Sequence, residues 1–101
     1  MSRPAQQLYL VSYDVADDRR RRLVFRALLG FGEHEQFSVF LCVLTPVGFV
    51  RLKAKLDGLV SHSEDRVLFA NLGLVDGRGG SAISSIGLPP PALPSKGPAI
   101  F

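Results

Sequence analysis

The chain has a single cysteine, Cys42, among its 101 residues, so it can form no disulfide within itself and no thiolate metal site. That cysteine lies inside the apolar run FLCVL, where hydrocarbon surroundings raise a thiol pKa rather than activate it. Long apolar stretches are missing as well. Nothing approaches the roughly 20 consecutive apolar residues of a membrane span, and the first seven residues hold no apolar signal-peptide core. The expectation is a cytoplasmic protein with no membrane partner. Neither GxGxxG nor GxxxxGKS/T occurs, which leaves a glycine loop cradling phosphate unsupported. His34 and His62 stand far apart with no neighbouring nucleophile, so no Ser/His/Asp set is evident. No aromatic-rich RNP1-like segment marks an RNA-recognition sheet.

What the chain does have is arginine in one place. Twelve Lys and Arg against nine Asp and Glu give a formal charge of +3 and a pI near 9.5, a modest excess that excludes little. Nine of the twelve cations are Arg, and five of those lie between Arg19 and Arg26. The clustering carries the signal. In LYLVSYDVADDRRRR, Leu8 to Arg22, an apolar strand runs into an aspartate cluster and then into guanidinium groups. Carboxylate and cation reach the same edge of the fold. A carboxylate holds a hard cation such as magnesium and arginines hold phosphate, so the combination points to nucleic acid.

The length fits one domain over residues 1–101, with a packed part at about 7–76 and a Gly- and Pro-rich segment at 77–101 that is expected to stay out of the core. Hydrophobic residues make up 47 % and the mean hydropathy is +0.21, high for a small chain with much exposed surface. Some of that apolar surface should meet another chain, which predicts an oligomer.

Periodicity predicts a strand over about Leu8–Val15, capped into a helix by Asp17 or Asp18. Leu23, Val24, Ala27, Leu28 and Phe31 recur at helical spacing until Gly30 and Gly32 stop it. The run EHEQFSVFLCVL, Glu33 to Leu44, reads as two strands or one sharply bent one. Thr45-Pro46 starts a second helix, with Phe49, Leu52, Leu56 and Leu59 buried to about Val60 and Arg51, Lys53 and Lys55 outside. Arg66 to Gly73 reads as the next strand. This β, α, β, β, α, β order predicts an α+β ferredoxin-like sandwich, two helices on one face of an antiparallel sheet. Beyond it, DGRGG reads as a flexible turn, AISSIGL as a short helix or strand, and the apolar end Pro98–Phe101 as a tail that docks on its own domain or reaches a partner's sheet edge.

Asp14 is the first candidate for chemistry. At the C-terminal end of a buried strand it is held where magnesium could sit; the same position also suits a turn or helix cap. One carboxylate is a poor magnesium site, and a two-fold dimer pairing both copies of Asp14 would meet the need. Arg19, Arg22 and Arg26 fall at i, i+3 and i+7 on one helix face and are the candidates for nucleic-acid binding, or a solvated face. Tyr13 and Phe37 could stack on bases, although aromatic residues at strand positions are more often core.

YLVSYDVADDRRRR, GFGEHEQFSVFLCVLTP, RLKAKLDGLV and DRVLFANLG together resemble the CRISPR-associated protein 2 family, the small subunit of the spacer-acquisition machinery. The resemblance implies a ferredoxin-like homodimer with an extra C-terminal strand packed against the partner's sheet. It also implies a metal-dependent endoribonuclease or endonuclease activity in some members, and a role bridging dimers of the CRISPR integrase on which prespacer DNA lies. Carried over, the family's metal aspartate falls on Asp14, its catalytic-site tyrosine on Tyr13, an arginine on Arg21, and the QxSVF positions on Gln36, Ser38 and Phe40. Where some members carry a basic residue before QxSVF this chain has His34 and Glu35, and where an acidic residue often follows SVF it has Leu41. A non-catalytic DNA-binding scaffold and a stand-alone ribonuclease toxin are the competing readings.

Overall fold

A computed structural model of the chain describes residues 5–94. Its elements are β1 (Gln7–Asp14), α1 (Asp18–Leu29), β2 (Glu33–Gln36), β3 (Val39–Leu44), α2 (Pro46–Asp57), β4 (Arg66–Leu74) and a 3-10 turn at Arg78–Ser81. The strands form one antiparallel sheet in the order β2-β3-β1-β4, the ferredoxin-like arrangement that the sequence predicts. The stretch from Glu33 to Leu44 is two strands, turned at Phe37 and Ser38.

Local chemistry sets the boundaries. The Asp17 carboxylate accepts the Arg20 N–H at 2.9 Å and so caps α1, which Gly30 ends. Thr45 does the same for α2 by accepting the Gly48 N–H at 3.1 Å, with Pro46 at the first helical position.

Because side chains alternate along β1, Tyr9, Val11 and Tyr13 share one face and Leu8, Leu10, Ser12 and Asp14 the other. The first face carries the main core: Tyr9, Val11, Tyr13, Phe40, Cys42 and Leu44 pack under Val24, Ala27 and Leu28 of α1 and Leu52 and Leu56 of α2. Tyr9 stacks on Phe49 with ring centroids 4.6 Å apart. Burial pushes the Cys42 thiol up to about 12, so it packs as a small hydrophobe.

The second face holds a smaller core of Leu8, Leu41, Val43 and Val75, with Leu10, Leu72 and Ile83 against it. Here the structure corrects the expectation that the Gly-rich segment stays outside. Gly79 is buried, and a Cβ there would come 2.8 Å from the Gly73 carbonyl oxygen and 2.9 Å from that of Leu74. DGRGG is therefore a packed turn whose glycines allow close backbone approach. AISSIGL is neither helix nor strand; residues 82–94 carry no regular element. β4 is the last strand among the described residues, and the Pro98–Phe101 tail lies outside them. No helix among the described residues is long and apolar enough to cross a membrane.

Candidate functional site

The site is built where β1 ends. Asp14 is exposed on the second face, and register places it directly opposite Arg66, the first residue of β4. Among the described residues its carboxylate makes no hydrogen bond and no ion pair. Its lone pairs are available to a ligand, and it caps neither a turn nor α1, a role that falls to Asp17. The described part of the C-terminal segment packs on the other half of this face; around Asp14 Leu68 is 57 % exposed and Ala70 is exposed.

Tyr13 is separated from Asp14. Strand alternation turns its ring into the main core, 6 % exposed and 6.3 Å from the Phe40 ring. Burial raises its pKa, partly opposed by the charge of Arg21. Placed together in the candidate catalytic set, the two residues occupy opposite faces of the sheet. Arg21 is engaged in holding the chain: its Nε and Nη2 donate to the Val15 carbonyl oxygen at 3.2 and 3.1 Å, and its Nη1 to Asp18 at 2.7 Å. It clasps the loop immediately after Asp14 to the first turn of α1.

Arg19, Arg22 and Arg26 are exposed on α1. Among the described residues Arg22 and Arg26 have no hydrogen-bond or ion-pair partner, and Arg19 helps hold the Asp17 carboxyl below its usual range. This face is available for phosphate.

Sequence reasoning missed the member of the arginine run that turns inward. Arg20 donates from Nε to Asp65 at 2.8 Å, and from Nη2 to Asp65 at 3.2 Å and Glu64 at 3.0 Å. Asp65 also accepts the N–H groups of Ala16 at 3.0 Å and Ser61 at 2.8 Å, and its side chain has no exposed surface. The Arg20 guanidinium, helped by those backbone N–H groups, holds the Asp65 carboxyl well below the usual carboxylate range and raises Arg20 in turn. This latch ties the residue two after Asp14 to the residue just before Arg66, so it fixes the distance across the site. The antiparallel pairing of β1 with β4 was the available signal: followed through to register, it puts Arg66 opposite Asp14.

The two histidines have structural partners. His34 packs edge-on against Phe25 at 5.0 Å and bonds the Phe37 carbonyl through Nε2; His62 pairs with Asp57 at 3.0 Å. Among the described residues no three or more His, Cys, Asp or Glu converge on a common point. At this end of the sheet the described residues therefore offer a divalent cation the Asp14 carboxylate without a second acidic ligand clustered beside it, where magnesium takes one or two carboxylates from protein.

Comparison with known proteins identifies the family. The family model for CRISPR associated protein Cas2 matches residues 7–74. A CRISPR-associated endoribonuclease Cas2 of Geobacter sulfurreducens is 41 % identical over 68 residues, covering 67 % of this chain and 72 % of the relative. A protein of the same name from Thermus thermophilus is 49 % identical over 61 residues, covering 59 % of this chain and 65 % of the relative. Among solved structures, a hypothetical protein of Thermus thermophilus superposes with a TM-score of 0.70 at 30 % identity, covering 89 % of this chain and 99 % of that one. Streptococcus pyogenes Cas2 superposes at 0.68 and 29 %, covering 79 % and 99 %. With a matching family model across the whole β1-to-β4 sandwich and relatives at these identities, the chain belongs to the Cas2 family of CRISPR-associated proteins.

Proposed function

We propose that this chain works in CRISPR adaptation as a homodimer that binds nucleic acid, with two Asp14 carboxylates forming a shared divalent-cation site for phosphodiester cleavage. The observation that carries this reading is the uncommitted carboxylate of Asp14 on the uncovered half of an apolar sheet face. Burying that half against a second copy removes Leu68 and Ala70 from water and brings two copies of Asp14 to one interface. The resulting pair of carboxylates suits magnesium, which takes one or two of them and completes its shell with water and phosphate oxygens. A divalent cation held there supplies neutralisation of the phosphate and a more acidic water. This chain's own residues do the rest: Arg66, opposite Asp14 in the β1–β4 register, offers a cation, the Arg21 clasp and the Arg20–Asp65 latch hold the strand end in place, and α1 presents Arg19, Arg22 and Arg26 to the backbone. Tyr13 contributes by packing beneath the strand.

The family's bridging role, in which such a dimer joins integrase subunits and carries prespacer DNA, calls for the same arginine face and the same dimer without cleavage. What supports it as the second reading is the exposed face of α1, where Arg22 and Arg26 have no partner among the described residues and no metal is needed to meet phosphate. Family membership favours both readings over a stand-alone toxin.

Sedimentation tests the dimer. The chain should sediment as a dimer at micromolar concentration, and Leu68→Glu, which places a charge on the exposed apolar half-face, should shift it to monomer. A monomeric unmutated chain would end the shared-site idea. Binding is tested by salt titration with a single-stranded oligonucleotide. Reversing Arg19, Arg22 and Arg26 to Glu should lower the slope of log K against log salt by about 2, since each phosphate contact on a single strand contributes about 0.7. An unchanged slope would make this face a solvated surface only.

A further inference from the structure

Phe37 is the one aromatic residue that the sequence offered for base stacking and that the core did not absorb. It is 94 % exposed, while Tyr13 is buried. Its backbone is also strained: φ is +33°, a left-handed conformation that side chains rarely adopt. Burial does not offset that strain, because almost none of the ring is buried. Residues kept in such conformations with their side chains in water are the kind that serve a site.

Four contacts hold the turn where it is. The Tyr13 N–H donates to the Ser38 carbonyl oxygen at 3.1 Å, fastening the turn to the end of β1 one residue before Asp14. The Phe37 carbonyl bonds His34 Nε2, and the His34 ring is wedged against Phe25 and Phe40 at 5.0 and 5.1 Å. An exposed aromatic ring is thus presented on a braced turn, at the same end of the sheet as Asp14 and Arg66.

We propose that Phe37 is a stacking platform for an unpaired nucleobase of a single strand whose phosphate backbone runs over Asp14 and Arg66. The inference rests on the nucleic-acid reading above and adds a substrate form to it. Duplex bases are stacked on one another and offer no free face, whereas a single strand does, and a lone ring reads any base. Gln36, exposed beside it, adds an amide that can meet a base edge. A protein partner for the exposed ring is the competing occupant. The nucleobase is favoured because this end of the sheet also carries an unpartnered carboxylate, Asp14, and a cation, Arg66, suited to metal and phosphate.

The chain contains no tryptophan, so Phe37→Trp places the sole indole on the turn and makes stacking directly visible. The full chain is titrated with a single-stranded oligonucleotide of about 12 nucleotides, within the span such proteins cover, and with an abasic phosphodiester of equal length. The indole emission should be quenched by the first and not by the second. Phe37→Gly removes the ring and relieves the strained φ, so it should leave the melting temperature no lower. It should weaken binding to the base-bearing strand about tenfold, the scale of one lost base–aromatic stack, with abasic binding unchanged. Equal binding by Phe37→Gly and the unmutated chain would overturn the inference, as would equal weakening toward both ligands. A loss of dimer with oligonucleotide binding intact would assign the ring to a protein contact instead. Failure of the unmutated chain to bind any oligonucleotide would end the nucleic-acid reading itself, and this inference with it.

Discussion

Replacing Asp14 by Asn should abolish magnesium-dependent cleavage of RNA or DNA while leaving the dimer and its salt-sensitive binding in place. The substitution keeps size and shape and removes only charge, and the Asp14 side chain makes no hydrogen bond or ion pair among the described residues, so the fold should tolerate it. Loss of merely an outer partner of a metal ligand costs on the order of 10- to 100-fold, and loss of the ligand itself should cost at least that. Two carboxylates brought together also repel until a cation joins them. In the unmutated protein divalent metal should therefore tighten the dimer, and in the Asn variant it should not. Purified protein assayed with and without magnesium decides the matter. Equal cleavage by both forms would remove Asp14 from the mechanism, and no cleavage by the unmutated chain on any substrate would favour the bridging role.

The second large effect concerns stability against acid. The Asp65 carboxyl is depressed in the folded chain by the Arg20 guanidinium and by the N–H groups of Ser61 and Ala16. A group whose folded pKa lies below its unfolded value binds more protons when unfolded. Its stabilisation is fully present above the unfolded value, about 4, and is lost as pH falls through the folded one. Asp65→Asn should thus unfold at clearly lower urea than the unmutated chain at pH 7, with the gap narrowing once the pH drops below about 4. A gap independent of pH would mean that the latch acts through packing and not charge. Because the latch spans Ala16 and Ser61, amide exchange at those two positions should quicken in the variant before the rest of the sheet responds.

Much of this fold could be read from local pattern. Asp17, Thr45-Pro46 and Gly30 are chemical punctuation, and the apolar spacing in α1 follows from helical geometry; each depends only on near neighbours in the chain. What depends on distant neighbours was harder to see. RRRR looks like one object in sequence, yet 100° per residue sends Arg20 to Asp65, Arg21 to the Val15 carbonyl, and Arg22 to solvent. Asp14 and Tyr13 are adjacent in sequence and on opposite faces in space, because a strand alternates. Family resemblance places both in one site, whereas alternation sends one to the exposed second face and the other to the core. The packing of Ile83 onto the second face left no mark in a segment so rich in Gly and Ser, since the fit comes from the groove it meets and not from any periodicity of its own.

The two edges of the sheet are not alike. β2 is four residues long, EHEQ, wholly polar and mostly exposed, and such an edge resists a further strand. β4 at the other edge is nine residues, RVLFANLGL, mostly apolar and with one row of backbone groups facing outward. A sheet with one guarded edge and one receptive edge can be extended only once. Whatever strand comes to lie along β4 ends the growth there, so pairing leads to a closed particle of fixed size where two receptive edges would seed a fibre. Should the proposed dimer form along β4, which no described strand covers, the four polar residues of β2 would keep its assembly finite.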